Sequence, residues 1–522
     1  MNPGQKKYPE HKITIKDLIF VTVSGILTGL AFPKFELMFL GWVSLIPLLY
    51  VFLLKRPRQA FVLGMTAGSC FYLVLLYWIP AVPAYYGGLS LPFSLLIYFL
   101  FAVFLSLFWA FPCMVAAFIG QKFPIAVFFL IPILWVSFEL GITHILTGFP
   151  WGLLAYSQYK NIYLIQTAAF TGVYGISFIL VFFQSMIVLF LKFKKKAALI
   201  SIISFIFFIH LVGFFIVNTN YPSEGLIKGA VVQGNVPSSI KWEITPDQKI
   251  RELFLQHLNL SRQAAQEGAR LVVWPELSVP LCFSCGNDLY QEFRKYLTAF
   301  SRDRNITLVL GTYETSYENG ETHYFNSALC LMPDGHYTQY NKMHLVPFGE
   351  YTPYEKIFSF ISNFTHAIGE LTPGKRFSFH RFNEIKFGSP ICYEIIFPDL
   401  VRRFCLEGAE FLITLTNDGW YGKSSAPYQH FSIAVFRAVE NRRFLLRSAT
   451  TGISGIIDPY GRILKRSKLN EQLYLTEHIT AIQRTTIYTR WGNWFSYLSL
   501  TISSLFFILA VSIKIHRKKR IE

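Results

Sequence analysis

The sequence predicts a polytopic α-helical membrane domain of about eight spans joined to an extracytoplasmic α/β domain. Three observations lead there. The 522-residue chain is 52% hydrophobic and only 15% charged, whereas a soluble domain carries about 25% charged residues. Apolar runs approaching the roughly 20 residues that cross a bilayer core recur before residue 222 and return once near the end. Lys and Arg are concentrated in alternate connecting segments, as the positive-inside rule requires of a multi-span protein. Collagen-like, disordered and small disulfide-scaffold classes are excluded by the apolar content and by only 7 cysteines.

The spans are read at 15–32, 36–54, 60–80, 89–119, 123–142, 164–191, 197–217 and 493–513. No small-residue cleavage site follows the first run, which is therefore expected to be a retained helix. On one side of the membrane fall Lys6 to Lys16, Lys55 to Arg58, Lys122, Lys192 to Lys196 and Lys514 to Arg520, seventeen basic residues in all. The alternate short loops hold two, Lys34 and Lys160. That asymmetry puts both termini in the cytoplasm and the block between the seventh and eighth helices outside it. The formal net charge of +17 is thus mostly a topology signal. It calls for a lipid bilayer and for no nucleic acid as partner. Glu139 is the acidic residue well inside a span, too little for an ion or proton pathway.

The expected organisation is a seven-helix membrane domain at 1–221, a globular domain at 222–490, and a last helix with a basic tail at 491–522. Within 222–490, β-branched runs at 229–236, 271–277, 306–314, 326–332, 385–395, 410–418 and 445–457 alternate with charged, helix-period stretches. Such alternation means α/β layers around one or two sheets.

Three residues in this block have the chemistry of a base, a cation and a nucleophile, each just after or beside a predicted strand. Glu276 follows Trp274-Pro275, Lys342 stands in the stretch Tyr340 to Glu350, and Cys392 in Gly388 to Glu394. A cysteine attacks as thiolate and needs a base or a nearby cation. A carboxylate takes the proton, and an ammonium with a backbone N–H stabilises the tetrahedral oxyanion. Singly, each is more often a packed thiol or a solvated charge. Together with their flanks, Trp-Pro-Glu, Tyr-Asn-Lys-x-His-Leu-Val-Pro-Phe-Gly-Glu and Gly-x-x-Ile-Cys-Tyr-Glu, they resemble the nitrilase, or carbon–nitrogen hydrolase, superfamily. That likeness implies an αββα sandwich and a Glu-Lys-Cys triad at Glu276, Lys342 and Cys392.

With eight helices, Gly148-Phe149-Pro150-Trp151, the Gln233 to Val236 stretch with Lys241-Trp242, Asn417 to Gly422 and the run 437–454, the whole chain resembles the apolipoprotein N-acyltransferase family. It departs from the family pattern near Thr450, where an Asn would be expected. The resemblance implies a bacterial inner-membrane enzyme with its catalytic domain on the periplasmic side. Its donor would be a glycerophospholipid, its acceptor a diacylated apolipoprotein, with no cofactor and no metal. The tetrahedral oxyanion would face Lys342 and the Tyr393 N–H, with Glu350 and Glu394 orienting the lysine. Trp242, Trp420, Trp151 and Phe358 would line the substrate path, and the aromatic stretch 353–364 would form a membrane-dipping arm. The triad alone equally suits a membrane-tethered amidase that releases its acyl group to water; eight spans argue for transfer. Cys282 and Cys285, one C-x-x-C pair without a histidine partner, are expected as a loop disulfide or as two thiols, not as a zinc site.

Overall fold

A computed structural model of the chain describes residues 12–53, 55–219, 226–237, 245–277, 279, 281–318, 320–353 and 370–519. Trp242, Phe358 and nearly all of the stretch 353–364 lie outside the described residues. The chain divides into two units, one running to Pro80 and taking in Pro92–Ile216 and everything from Asn493, the other comprising Ala81–Leu91 and Val217–Gly492.

The first unit is helical. Each of the eight apolar runs carries helix, and among the described residues six helices are long and apolar enough to cross a membrane: Pro57–Leu75, Leu91–Gly120, Val127–His144, Val173–Phe193, Lys196–Val217 and Trp494–His516. The first run forms the shorter helix Ile15–Leu30, and the second breaks into a 3-10 turn, Met38–Trp42, and a helix, Ile46–Phe52. The sixth becomes a regular helix only after Gly172 (φ +67°). Several buried polar groups in this unit find internal partners, as an apolar surround demands. Gln184 accepts the Leu45 N–H at 2.6 Å and donates to the Gly41 carbonyl at 3.1 Å. Glu139 accepts from the Trp135 indole at 3.0 Å and the Leu154 N–H at 2.9 Å, tying its helix to the segment that follows Trp151.

The second unit is built on twelve strands: β1 (Ile227–Gln233), β2 (Leu271–Val273), β3 (Thr307–Glu318), β4 (Glu321–Leu331), β5 (Tyr337–Asn341), β6 (His380–Phe382), β7 (Ile385–Gly388), β8 (Phe411–Thr416), β9 (Leu445–Ala449), β10 (Gly455–Ile457), β11 (Ile463–Arg466) and β12 (Leu473–Ile479). They form two six-stranded sheets ordered β12-β1-β2-β3-β4-β5 and β11-β10-β9-β8-β7-β6. The central strands of both sheets run parallel (β1 with β2, β2 with β3, β7 with β8, β8 with β9). They are largely buried on both faces, as strands covered on both sides must be.

Helices close the outer faces. α1 (Asp247–Gln266) places Ile250, Phe254 and Leu258 on one stripe, and α2 (Asp288–Arg304) does the same with Leu289, Phe293, Leu297 and Phe300. Both stripes join Val232, Val272, Leu308 and Leu329 of the first sheet in one core. The Asn287 side chain caps α2 at the Leu289 N–H, and Asn305 ends it in the left-handed region. α3 (Pro398–Leu406) and α4 (Ala426–Asn441) cover the second sheet, Phe404 lying over Gly388 and Phe431 over Gly455. The result is the expected αββα sandwich.

Gln233, at the end of β1, ties the two sheets together. Its amide donates to the Lys468 and Glu471 carbonyls, both at 3.0 Å. Its oxygen accepts from the Ser454 hydroxyl at 2.6 Å, the Ser467 hydroxyl at 2.8 Å and the Ser454 N–H at 3.2 Å. Replacing it by leucine strands several buried polar groups, each costing about 1–3 kcal/mol. Gln233→Leu is therefore expected to lower the thermal midpoint of the full chain in detergent by several degrees; an unchanged midpoint would contradict the role.

Candidate active site

Glu276 lies just beyond β2. Trp274 extends the strand, its N–H donating to the Val309 carbonyl at 2.8 Å. Its buried indole donates to the Ser261 hydroxyl at 2.8 Å and packs on Phe254 and His257. Pro275 has no N–H to continue the ladder, so the carboxylate follows a rigid anchor. The chain here runs so close to β3 that a Cβ on Gly311 would come 2.5 Å from the Pro275 carbonyl and 2.6 Å from the Glu276 Cα. Lys342 directly follows β5, its N–H bonded to the Asn326 carbonyl of β4 at 2.8 Å.

Cys392 follows β7, but not as part of a strand. The run 385–395 reads as one strand in sequence; in the structure β7 stops at Gly388, and Ile391 makes an isolated parallel bridge to Leu415. Cys392 adopts φ +49° and opens a 3-10 helix, Cys392–Ile396. A non-glycine residue in the left-handed region is strained and persists only when its surroundings fix it.

The three residues share one buried cluster. Lys342 Nζ donates to Glu350 Oε1 at 2.8 Å and lies 3.4 Å from Glu276 Oε1. Asn326, which sequence reasoning missed, donates through Nδ2 to Glu276 Oε1 at 2.7 Å and to Glu350 Oε1 at 3.0 Å. Glu276 Oε2 accepts the Asn417 N–H at 2.8 Å, and Glu350 Oε2 the Val346 N–H at 2.8 Å. Thr416 donates its hydroxyl to Cys392 Sγ at 3.2 Å. Glu276, Lys342, Glu350 and Cys392 are each at most 5% exposed.

Glu394 works through backbone. Its Oε2 accepts the Ile391 N–H at 2.7 Å, and its Oε1 accepts the Met343 N–H at 2.7 Å, the His344 N–H at 3.0 Å and the Tyr340 hydroxyl at 2.8 Å. One carboxylate thus holds the cysteine turn against the lysine loop. Tyr393 is buried, its ring packed beside the stacked pair of His344 and Phe397. Trp420 is half-buried, its ring edge-on to Tyr86 at 4.5 Å. Trp151 belongs to the helical unit, where it is buried against Trp78 and Phe149. Cys282 and Cys285 form a disulfide. Among the described residues no group of three or more His, Cys, Asp and Glu is arranged to hold a metal ion.

Charge decides what these groups do. Burial alone would push the Lys342 ammonium down, but the carboxylates of Glu350 and then Glu276 outweigh it and hold the group well above the ordinary lysine range. Lys342 therefore stays charged. The Cys392 thiol is pushed up by burial and then by Glu276, against the smaller opposing pull of Lys342 and the Thr416 hydroxyl. At rest the sulfur is a thiol. Two carboxylates share one ammonium.

A sandwich with a buried carboxylate, ammonium and thiol beyond the ends of β2, β5 and β7 fits the carbon–nitrogen hydrolase class, and residues 230–487 match the Carbon-nitrogen hydrolase family. Residues 24–186 match the Apolipoprotein N-acyltransferase N-terminal domain. The apolipoprotein N-acyltransferase of Geobacter metallireducens is 33% identical over 92% of this chain and 93% of its own length. Those of Rickettsia prowazekii and Coxiella burnetii are each 32% identical, over 93% of this chain and 96% and 98% of their own lengths. The chain belongs to the apolipoprotein N-acyltransferase family, and with it to the acyltransferase enzymes. Among solved structures, the carbon–nitrogen hydrolase of Helicobacter pylori G27 is 20% identical with a TM-score of 0.38, covering 49% of this chain and 89% of that one.

Two outcomes are expected. Alkylation of Cys392 by iodoacetamide, followed by mass spectrometry, should keep accelerating above pH 9, beyond the ordinary thiol range near about 8.5; a plateau by pH 8 would mean a preformed thiolate. Gly311→Ala, by displacing Glu276, should reduce turnover by about tenfold or more, and wild-type turnover would sink that assignment.

Proposed function

We propose that the chain moves an acyl group from a membrane glycerophospholipid to the α-amine of a diacylglyceryl-cysteine at an apolipoprotein N-terminus, through a thioester on Cys392. The observation that carries this is the buried Glu276–Lys342–Glu350 cluster with Cys392, in a chain of this family.

In the first half-reaction Glu276 takes the thiol proton as Sγ attacks the ester carbonyl carbon. The carbonyl π pair moves to oxygen, and the resulting oxyanion is stabilised by the Lys342 ammonium and the Tyr393 N–H. Collapse re-forms the carbonyl and breaks the ester C–O bond. The leaving alkoxide takes the proton back from Glu276 and departs as lysophospholipid. In the second half the amine attacks the thioester carbon while losing its proton to Glu276. Collapse then expels the Cys392 thiolate, which is reprotonated by Glu276. The two substrates alternate at one site, giving ping-pong kinetics. Glu350 keeps Lys342 charged and Glu394 holds the cysteine turn to the lysine loop. Trp420 and Trp242 are assigned to the acyl-chain path.

Residues 1–221 are assigned to the membrane domain with seven helices, 222–490 to the catalytic domain, and 491–522 to the last helix and tail. The 17-to-2 partition of basic residues supports cytoplasmic termini and a periplasmic catalytic domain in a bacterial inner membrane.

Incubation of the purified protein with a phospholipid carrying a labelled acyl chain should leave a hydroxylamine-sensitive label on Cys392, and a diacylated lipopeptide should then discharge it onto its amine. Discharge only to water would establish an amidase-like hydrolase instead. Glu276→Gln should slow thioester formation by about 10²- to 10⁴-fold, and a stable acyl-enzyme on Cys392→Ala would refute the nucleophile.

A further inference from the structure

A second buried charged cluster touches Cys392 and has no part in the steps above. Asp418, His430 and Arg447 are essentially without solvent exposure. Arg447 Nη2 donates to Asp418 Oδ2 at 2.8 Å, and its Nε donates to the Ile453 carbonyl at 3.1 Å. His430 Nδ1 lies 2.8 Å from Asp418 Oδ1 and 3.0 Å from Arg447 Nη2. The turn after β9 closes over this carboxylate: a Cβ on Gly452 would come 2.2 Å from Asp418 Oδ2. Arg447 and then His430 hold Asp418 charged, at about 2, against the effect of burial. The cluster is thus a fixed anchor for one side of the imidazole.

The other side of the ring reaches the cysteine turn. His430 Nε2 lies 3.2 Å from the Cys392 carbonyl oxygen. A carbonyl only accepts, so Nε2 carries the hydrogen. Burial and then Arg447 keep the ring below the ordinary histidine range, so Nδ1 accepts from Arg447 Nη2, and Asp418 braces the ring through that arginine. That carbonyl and the Tyr393 N–H belong to one peptide group, which is trans. In a planar trans peptide the N–H points opposite to the C=O. A donor on the carbonyl therefore fixes which way the N–H faces, and it polarises the group so that the N–H donates more strongly. The need for such a hold is visible in the backbone itself, since Cys392 sits at φ +49°.

We propose that His430, braced by Asp418 and Arg447, is a positioning residue for the oxyanion donor. Its bond to the Cys392 carbonyl aims the Tyr393 N–H at the oxygen that gains charge when Sγ attacks. The inference rests on the reading of Cys392 as nucleophile and the Tyr393 N–H as oxyanion donor. No new bond is made or broken at His430; it acts only through the peptide it holds.

Two reactions of one sulfur separate this role from general support. Acylation by an ester forms an oxyanion; alkylation by iodoacetamide displaces iodide and forms none. Both are measured at Cys392 by mass spectrometry on the full-length protein in detergent, with a labelled phospholipid as acyl donor. His430→Phe keeps a ring and removes the donor, and His430→Gln keeps an N–H able to reach the carbonyl. In the Phe variant acylation should fall about 10²-fold, as for loss of an oxyanion donor, with alkylation within about twofold of wild type; the Gln variant should recover at least tenfold of that loss. Should the Phe variant not fold, Gln against Asn makes the same comparison, because the Asn amide is one carbon too short. Equal loss of acylation and alkylation, acylation within about threefold of wild type, or no recovery with Gln would each overturn the role. A wild-type protein that forms no Cys392 thioester overturns the nucleophile reading, and this inference with it. A normal wild-type thioester beside an unaffected Phe variant overturns this inference alone.

Discussion

Everything in the catalytic unit is arranged around one buried ammonium. Lys342 is 1% exposed, and an isolated lysine there would discharge. Glu350 at 2.8 Å and Glu276 at 3.4 Å prevent that. The geometry has to be held from several directions, because a buried ion pair stabilises only when its remaining donors and acceptors are satisfied. Asn326 ties the two carboxylates together, the Val346 and Asn417 N–H groups fill their other oxygens, and Gly311 lets Glu276 approach β3. Glu350 is the carboxylate nearer the lysine, and in the proposed mechanism Glu276 is the one that exchanges a proton with the thiol.

The second constraint is the cysteine turn. A strand end carrying a left-handed residue is unstable alone, and here three independent groups fix it. Glu394 holds the Ile391 N–H, Thr416 touches Sγ, and His430 holds the carbonyl. Residues 416–418 serve all parts at once: Thr416 contacts Cys392, the Asn417 N–H contacts Glu276, and Asp418 contacts His430. This economy explains why a short loop after β8 is so polar yet so buried.

Much of this was legible in the sequence, and the gaps have physical causes. Among the described residues the apolar runs marked each α-helix of the first unit because hydrophobicity is local, but composition does not show where a run breaks, so the interruption at Val43–Leu45 and the break at Gly172 went unread. The triad was visible because its three motifs are each contiguous. Strands β5, β6, β11 and β12 escaped notice because they are short or half-exposed and mix charged or polar with apolar residues. The run around Cys392 reads as an unbroken strand since its β-branched and aromatic composition hides the turn. Asn326 and His430 were invisible as site residues: their partners lie 24 to 50 residues away in one case and 12 to 38 in the other, and it is the strand order within each sheet that brings them together.

The central claim is that the ester oxygen, on becoming an oxyanion, is received by Lys342 and the Tyr393 N–H. Its most direct test is an experimental structure of the acyl-enzyme, trapped by supplying phospholipid and withholding the amine. The expected result is a thioester on Cys392 whose carbonyl oxygen lies about 3 Å from both Lys342 Nζ and the Tyr393 nitrogen. An acyl group on another residue, or a carbonyl turned away from both donors, would contradict it.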